Sequence, residues 1–186
     1  GDTSFSFYFC SSQIGFAAPT RAALEVRGTG SLYETRAVSI GTASNGTSGG
    51  FVGASVDVLD GAVLRSWNAL AGSRNGSAGN ETALGIMRIH GAHSTWVVDG
   101  YDSAVNGARP NGLNGAASVS LGNFAGGTGQ LFLEAGGTLR LERKDATQTD
   151  QPFLIFGNGG SSEVVVTGAG SKIEIQSGLT GSLQVG

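Results

Sequence analysis

Four carboxylates have the residue type that glycosidic cleavage requires: Asp57, Asp60, Glu134 and Glu174. That chemistry needs two of them facing each other across a cleft, about 5–10 Å apart. Each, however, is an outward position of an alternating strand or of the corner beside it, where a solvated charge is expected. No Asp-Asp cluster with neighbouring basic residues occurs, so no catalytic residue is expected. His90 and His93 are three apart, but across a glycine-containing corner and not on one helix face, and no third or fourth ligand type lies nearby. Calcium repeats of the Gly-Gly-x-Gly-x-Asp kind are missing as well. The expectation is no metal and no cofactor. Serine is plentiful, but nothing resembles a Gly-x-Ser-x-Gly nucleophile on a strand-to-helix elbow. Nor does the Gly-Lys-Ser/Thr of a phosphate loop. Gly-x-Gly-Ser recurs instead, as a repeated corner. Cys10, the single cysteine, ends the apolar run Phe7-Tyr8-Phe9-Cys10 and reads as a small buried hydrophobe.

One stretch invites a partner. From Val97 to Ala116 the repeat is interrupted, and Tyr101, Asp102, Arg109 and Pro110 occur together there. Insertions in solenoids map to surface loops, often on the binding face. Tyr and Arg concentrate binding energy. Tyr101, Asp102 and Arg109 are therefore the candidate partner-binding residues, against the plainer reading of a tolerated insertion. Three N-x-S/T sequons, at Asn45, Asn75 and Asn80, read as asparagine turn chemistry.

These residues are positioned by a chain that turns often. Glycine makes up 33 of its 186 residues, about 18% against an average near 7%. Charged residues are 13% and prolines number 3. Such a composition would suit a disordered linker, were it not for 39% hydrophobic residues in regular alternating runs. A net charge of −3 without a basic stripe makes nucleic acid an unsuited partner. No apolar run approaches the ~20 residues of a membrane-spanning helix. The chain begins at Gly1 without a signal peptide and stops inside a repeated pattern, as expected of a segment of something longer.

Five segments share one layout: alternating aliphatics, a small-residue corner, then another apolar position. They run Leu24 to Tyr33, Val56 to Leu64, Met87 to Trp96, Leu131 to Leu139 and Val164 to Ile173. Their second aliphatics are Val26, Val58, Ile89, Leu133 and Val166, about 32, 31, 44 and 33 residues apart, within the range of solenoid periods. Two corner variants alternate. Odd segments carry Gly-x-Gly-Ser or its relative: Gly28, Gly30 and Ser31; Gly91 and Ser94; Gly168, Gly170 and Ser171. Even segments carry Gly-Ala or Gly-Gly and an apolar residue. Between them sits a shorter strand ended by glycine, as in Val38-Ser39-Ile40-Gly41, Val119-Ser120-Leu121-Gly122, Leu154-Ile155-Phe156-Gly157 and Leu183-Gln184-Val185-Gly186.

Period-two alternation with few hairpin turns predicts stacked parallel strands, glycine corners and a narrow aliphatic core. The expected fold class is all-β, a parallel β-solenoid forming one domain, 1–186. Rungs of roughly 20 residues would give about eight or nine turns. The second aliphatics, Val166 included, are expected to be buried.

With these motifs in view, the chain resembles the passenger regions of autotransporter-type bacterial surface proteins. Those families repeat Val-x-Val-x-Gly-x-Gly-Ser-x-Trp, Leu-x-Ile-Gly and Val-x-Val-x-x-Gly-Ala-x-Leu. Here the matching stretches are Val164 to Ile173, Ala117 to Gly122 and Val56 to Leu64, with Trp96 in the aromatic slot of the third copy. The resemblance covers residues 22–186. His93 stands where the pattern prefers glycine, and Leu32 and Ile173 where tryptophan is common; residues 1–20 do not match and read as a distorted first rung or a cap. The resemblance implies a right-handed parallel β-helix, export, a location outside the cell on a bacterial surface, and a structural or adhesive role without catalysis. Expected partners are a glycan, a protein, or further copies of the chain associating end to end or laterally. The alternative is a β-helical carbohydrate-active enzyme or a phage tailspike-type fragment. An ice-binding solenoid fits less well, because the outward rows mix Glu, Arg, Asp and Ser.

Overall fold

The computed structural model describes residues 12–16, 20–43, 51–74, 82–100, 116–143, 151–176 and 181–186. Within them are fourteen strands and no helix. The first wall stacks β2 (Thr20–Arg27), β4 (Phe51–Leu59), β6 (Thr82–His90), β9 (Gly127–Glu134) and β12 (Ser161–Thr167) in that order. Each leads through a tight corner into the second wall. In the first two turns that wall is one continuous strand, β3 (Leu32–Ala43) and then β5 (Val63–Arg74). In the later turns it splits in two: β7 (Thr95–Val98) and β8 (Ser118–Leu121), β10 (Thr138–Leu141) and β11 (Phe153–Phe156), β13 (Lys172–Ile175) and β14 (Ser182–Val185). Every strand pairing is parallel. The five stacked strands of the first wall are separated by four steps of the coil, and the molecule is a parallel β-solenoid of about four turns.

The expected count of eight or nine rungs is thus corrected. The long segments and the short glycine-ended strands are not successive rungs but different walls of the same turn, so a turn takes the whole interval of some thirty residues. Residues 1–20 are partly placed. β1 (Ser12–Phe16) lies in parallel register on β3, from Ser12 opposite Val38 to Phe16 opposite Thr42, as one wall of a preceding rung.

The register explains the alternation. Val26, Val58, Ile89, Leu133 and Val166 are successive Cα partners, one unbroken column. Leu24, Val56, Met87, Leu131 and Val164 form the next. Val58, Ile89, Leu133, Met87 and Leu131 are fully buried. Val166 is not: it is 48% exposed, because among the described residues no rung lies on its far side. A charge placed there would reach water. On the second wall, Tyr33, Leu64, Trp96, Leu139 and Ile173 share a column. The aromatic slot of the first turn is therefore Tyr33, one residue beyond Leu32. Buried Trp96 donates its indole N–H to Ser66 Oγ at 3.0 Å, so its one polar group is satisfied inside the core.

The two corner variants differ by one residue. After Arg27, His90 and Thr167 the chain takes four residues to the next wall; after Leu59 and Glu134 it takes three. The serine of the longer corner bonds back to the strand end: Ser31 to the Arg27 carbonyl, Ser94 to that of His90 and Ser171 to that of Thr167, each at 2.7 Å. Its oxygen also accepts the glycine amide of the shorter corner beneath, Gly61 on Ser94 and Gly136 on Ser171, both at 2.9 Å. Long and short corners thus alternate because each long one completes the hydrogen bonding of the short one below. Gly30 (φ 86°), His93 (68°) and Gly170 (82°) occupy the same left-handed position.

At the opposite edge the two walls pinch together. Gly72 has φ 64°, and a Cβ added to it would fall on the Thr128 carbonyl. One added to Gly85 would fall on the Gly72 amide. The backbones touch directly there, which is why Ile-Gly and Leu-Gly endings recur.

Candidate functional site

The four sequence-predicted carboxylates are placed on the outer surface, and each meets a cation. Asp57 lies 3.0 Å from Arg88, Asp60 3.4 Å from Arg27, Glu134 3.9 Å from Arg88, and Glu174 3.2 Å from Arg140 and 3.3 Å from Lys172. The partners come from the register, since Asp57 and Arg88 sit opposite each other, as do Arg140 and Glu174. Hydrogen bonds from Arg140 first, and then from Lys172, hold the Glu174 carboxyl below its ordinary value. Asp57 and Glu134 are brought together, but Arg88 stands between them with its guanidinium over the Phe132 ring, 5.7 Å from the centroid. This is a cross-link between rungs. His90 and Glu134 are register partners and His93 sits at the corner. Among the described residues, no group of three or more His, Cys, Asp and Glu is placed to hold a metal ion.

The partner-binding candidates Tyr101, Asp102 and Arg109 lie outside the described residues, as do Cys10 and the sequons at Asn45, Asn75 and Asn80. The start of their insertion is described. Val97 and Val98 are not part of it: they close strand β7 and are buried. The wall is interrupted after Val98, and residues 99–117 connect to β8. Residues 142–152 make the corresponding connection between β10 and β11, and 176–181 that between β13 and β14. Sequence reading noticed only the first, because the other two are short enough to pass as corners. All three follow strands that end on register partners, Val98, Leu141 and Ile175.

Beside those strand ends sits the densest charge cluster among the described residues, which sequence reading missed. Arg65 on β5 lies 3.0 Å from Asp99, 3.2 Å from Glu142 and 3.8 Å from Glu34. The Asp99 side chain is fully buried, and those of Glu142 and Glu34 are mostly so. Register accounts for the convergence. Glu34, Arg65, Val97 and Arg140 are successive partners, and Arg65 reaches past the short Val97 to Glu142, two rungs above. The Arg65 column was the available signal, since Glu34 and Arg65 fall at equal distance after their respective corners.

A second feature lies on the outer face of the first wall. A shallow groove of about 310 Å³ runs across β2, β4 and β6, lined by Arg21, Phe51, Gly53, Ser55, Leu84 and Ile86. Phe51 is 40% exposed, its ring lies against Gly53, and the Arg21 guanidinium stands 5.9 Å from the ring centroid.

The fold and these clusters define a β-solenoid cross-linked by ion pairs from rung to rung. No family model matches the chain, and no curated protein or solved structure matches it either.

Proposed function

We propose that this chain is a stiff, exported stalk segment of a bacterial surface protein, of the autotransporter passenger kind, wound right-handedly. Its insertions contact a glycan, a protein or another copy. The observation that carries this reading is the division of labour around the coil. Outward charges along the walls are engaged in rung-to-rung ion pairs, while the strands before three connections end on the register partners Val98, Leu141 and Ile175. Handedness follows the general rule that parallel crossovers are right-handed in about 98% of cases.

The test is a glycan and protein array probed with the wild-type chain and with a variant whose residues 101–115 are replaced by a short Gly/Ser linker. Binding that vanishes in the variant, with an unchanged melting temperature, is the expected result. Release of reducing ends from a polysaccharide panel would overturn the stalk reading in favour of a carbohydrate-active enzyme. Sedimentation at increasing concentration tests contact between copies, which a strictly monomeric species would rule out.

A further inference from the structure

We propose that Arg65 is a positioning residue that couples the bases of two insertions, so that a change at one is felt at the other. This inference does not rest on the stalk reading. Four turns of the coil meet at this one guanidinium. Arg65 belongs to the second turn, Glu34 to the first, Asp99 to the third and Glu142 to the fourth. Asp99 is the first residue after β7 and Glu142 the first after β10, so each stands where a connection begins. One Arg65 nitrogen, Nη1, donates to both, to Asp99 Oδ2 at 3.0 Å and to Glu142 Oε1 at 3.2 Å. The two carboxylates are 43 positions apart in the chain (99 to 142) and share that donor. An Arg–carboxylate contact partly shielded from water is stronger than an exposed one; here the Asp99 side chain is fully buried and that of Arg65 is 35% exposed. If either carboxylate is withdrawn or neutralised, the guanidinium can re-aim toward the other. That sharing is the physical basis of coupling.

Backbone hydrogen bonds report the state of each base. The Asp99 amide bonds to the Ser66 carbonyl at 2.9 Å and the Gly100 amide to that of Trp67 at 3.1 Å. The Glu142 amide bonds to the Val98 carbonyl at 2.9 Å. Coupling therefore has a readout that a merely structural role for Arg65 would not produce: non-additivity between distant amides.

The experiment is hydrogen exchange on the whole chain. The variants are Glu142→Gln, Arg65→Met and the double variant, with Val97→Ala as a control that trims the neighbouring side chain and leaves the charges. Glu142→Gln is expected to change exchange at the Asp99 and Gly100 amides by about fivefold or more, the lower end of typical coupling. In the Arg65→Met background the same substitution should leave those amides unchanged. Equal effects of Glu142→Gln in both backgrounds, or none in either, would overturn the proposal. Should Arg65→Met fail to fold, Arg65→Lys replaces it; a lysine gives a single-point donor and should weaken the coupling without abolishing the charge. Coupling fully retained in Arg65→Lys would count against the shared Nη1 as its carrier.

Discussion

Two residues show how local chemistry is set by position in the ladder. His93 occupies a left-handed site that Gly30 and Gly170 fill in the equivalent corners. A side chain at that conformation costs roughly 1–2 kcal/mol, against which glycine's greater chain entropy offsets ~0.5–1 kcal/mol. His93→Gly should therefore stabilise the protein, by up to ~1 kcal/mol, measured as a rise in the urea midpoint at unchanged slope. The sequence marks this departure, since glycine is present in the two matching corners. Glu174 behaves differently. Its folded pKa is lowered from 4.5, mainly by Arg140. The stability it contributes is thus fully present above about pH 4.5 and is lost as pH falls through the lower folded value. In an NMR titration, the Glu174 carboxyl should titrate below 4.5 in the wild type and move back up in Arg140→Gln. No upward movement would mean that Lys172 alone sustains the shift.

Among the elements, the corners carry the most specific design. Ser94 is fully buried, bonds the His90 carbonyl and accepts the Gly61 amide. Ser94→Ala leaves the Gly61 amide without its acceptor, while the His90 carbonyl keeps the Asp60 amide at 3.3 Å, and should cost about 1–3 kcal/mol, the range for leaving a buried polar group unsatisfied. Ser171 makes the equivalent bonds in the more open fifth rung. There water can substitute, and Ser171→Ala should cost under ~1 kcal/mol. Equal losses in the two variants, read by thermal unfolding, would show that burial does not set the difference. The alternation of Gly-x-Gly-Ser with shorter corners is legible in the sequence, as is the column from Val26 to Val166. The cause of the alternation is not legible, because it depends on one serine reaching the rung beneath. The Arg65 cluster stayed hidden for the same reason: Glu34, Arg65, Asp99 and Glu142 lie far apart in sequence and are joined only by register. The number of turns was misjudged because a single turn contains two unlike strand motifs, which by pattern alone pass for two rungs.

At the scale of the whole molecule, the core is a wedge, filled by Trp96, Leu64, Leu139 and the aliphatic columns at one end and closed backbone against backbone at the other. Gly72→Ala tests the closed end. It places a Cβ on the Thr128 carbonyl and adds a left-handed alanine, so the walls must separate; a loss of about 3–5 kcal/mol is expected in equilibrium unfolding. A loss below ~1 kcal/mol would mean that the edge gives way easily and that the pinch is not what holds the walls together. The paired corners have a further implication for how such a chain can change length. Removing one four-residue corner with its turn would bring two three-residue corners into contact, and the lower glycine amide would lose its serine oxygen. Removing two adjacent turns restores the pattern. Gene duplications and deletions that add or subtract turns should therefore survive in even numbers, with the pair of turns, not the single turn, as the heritable unit of growth.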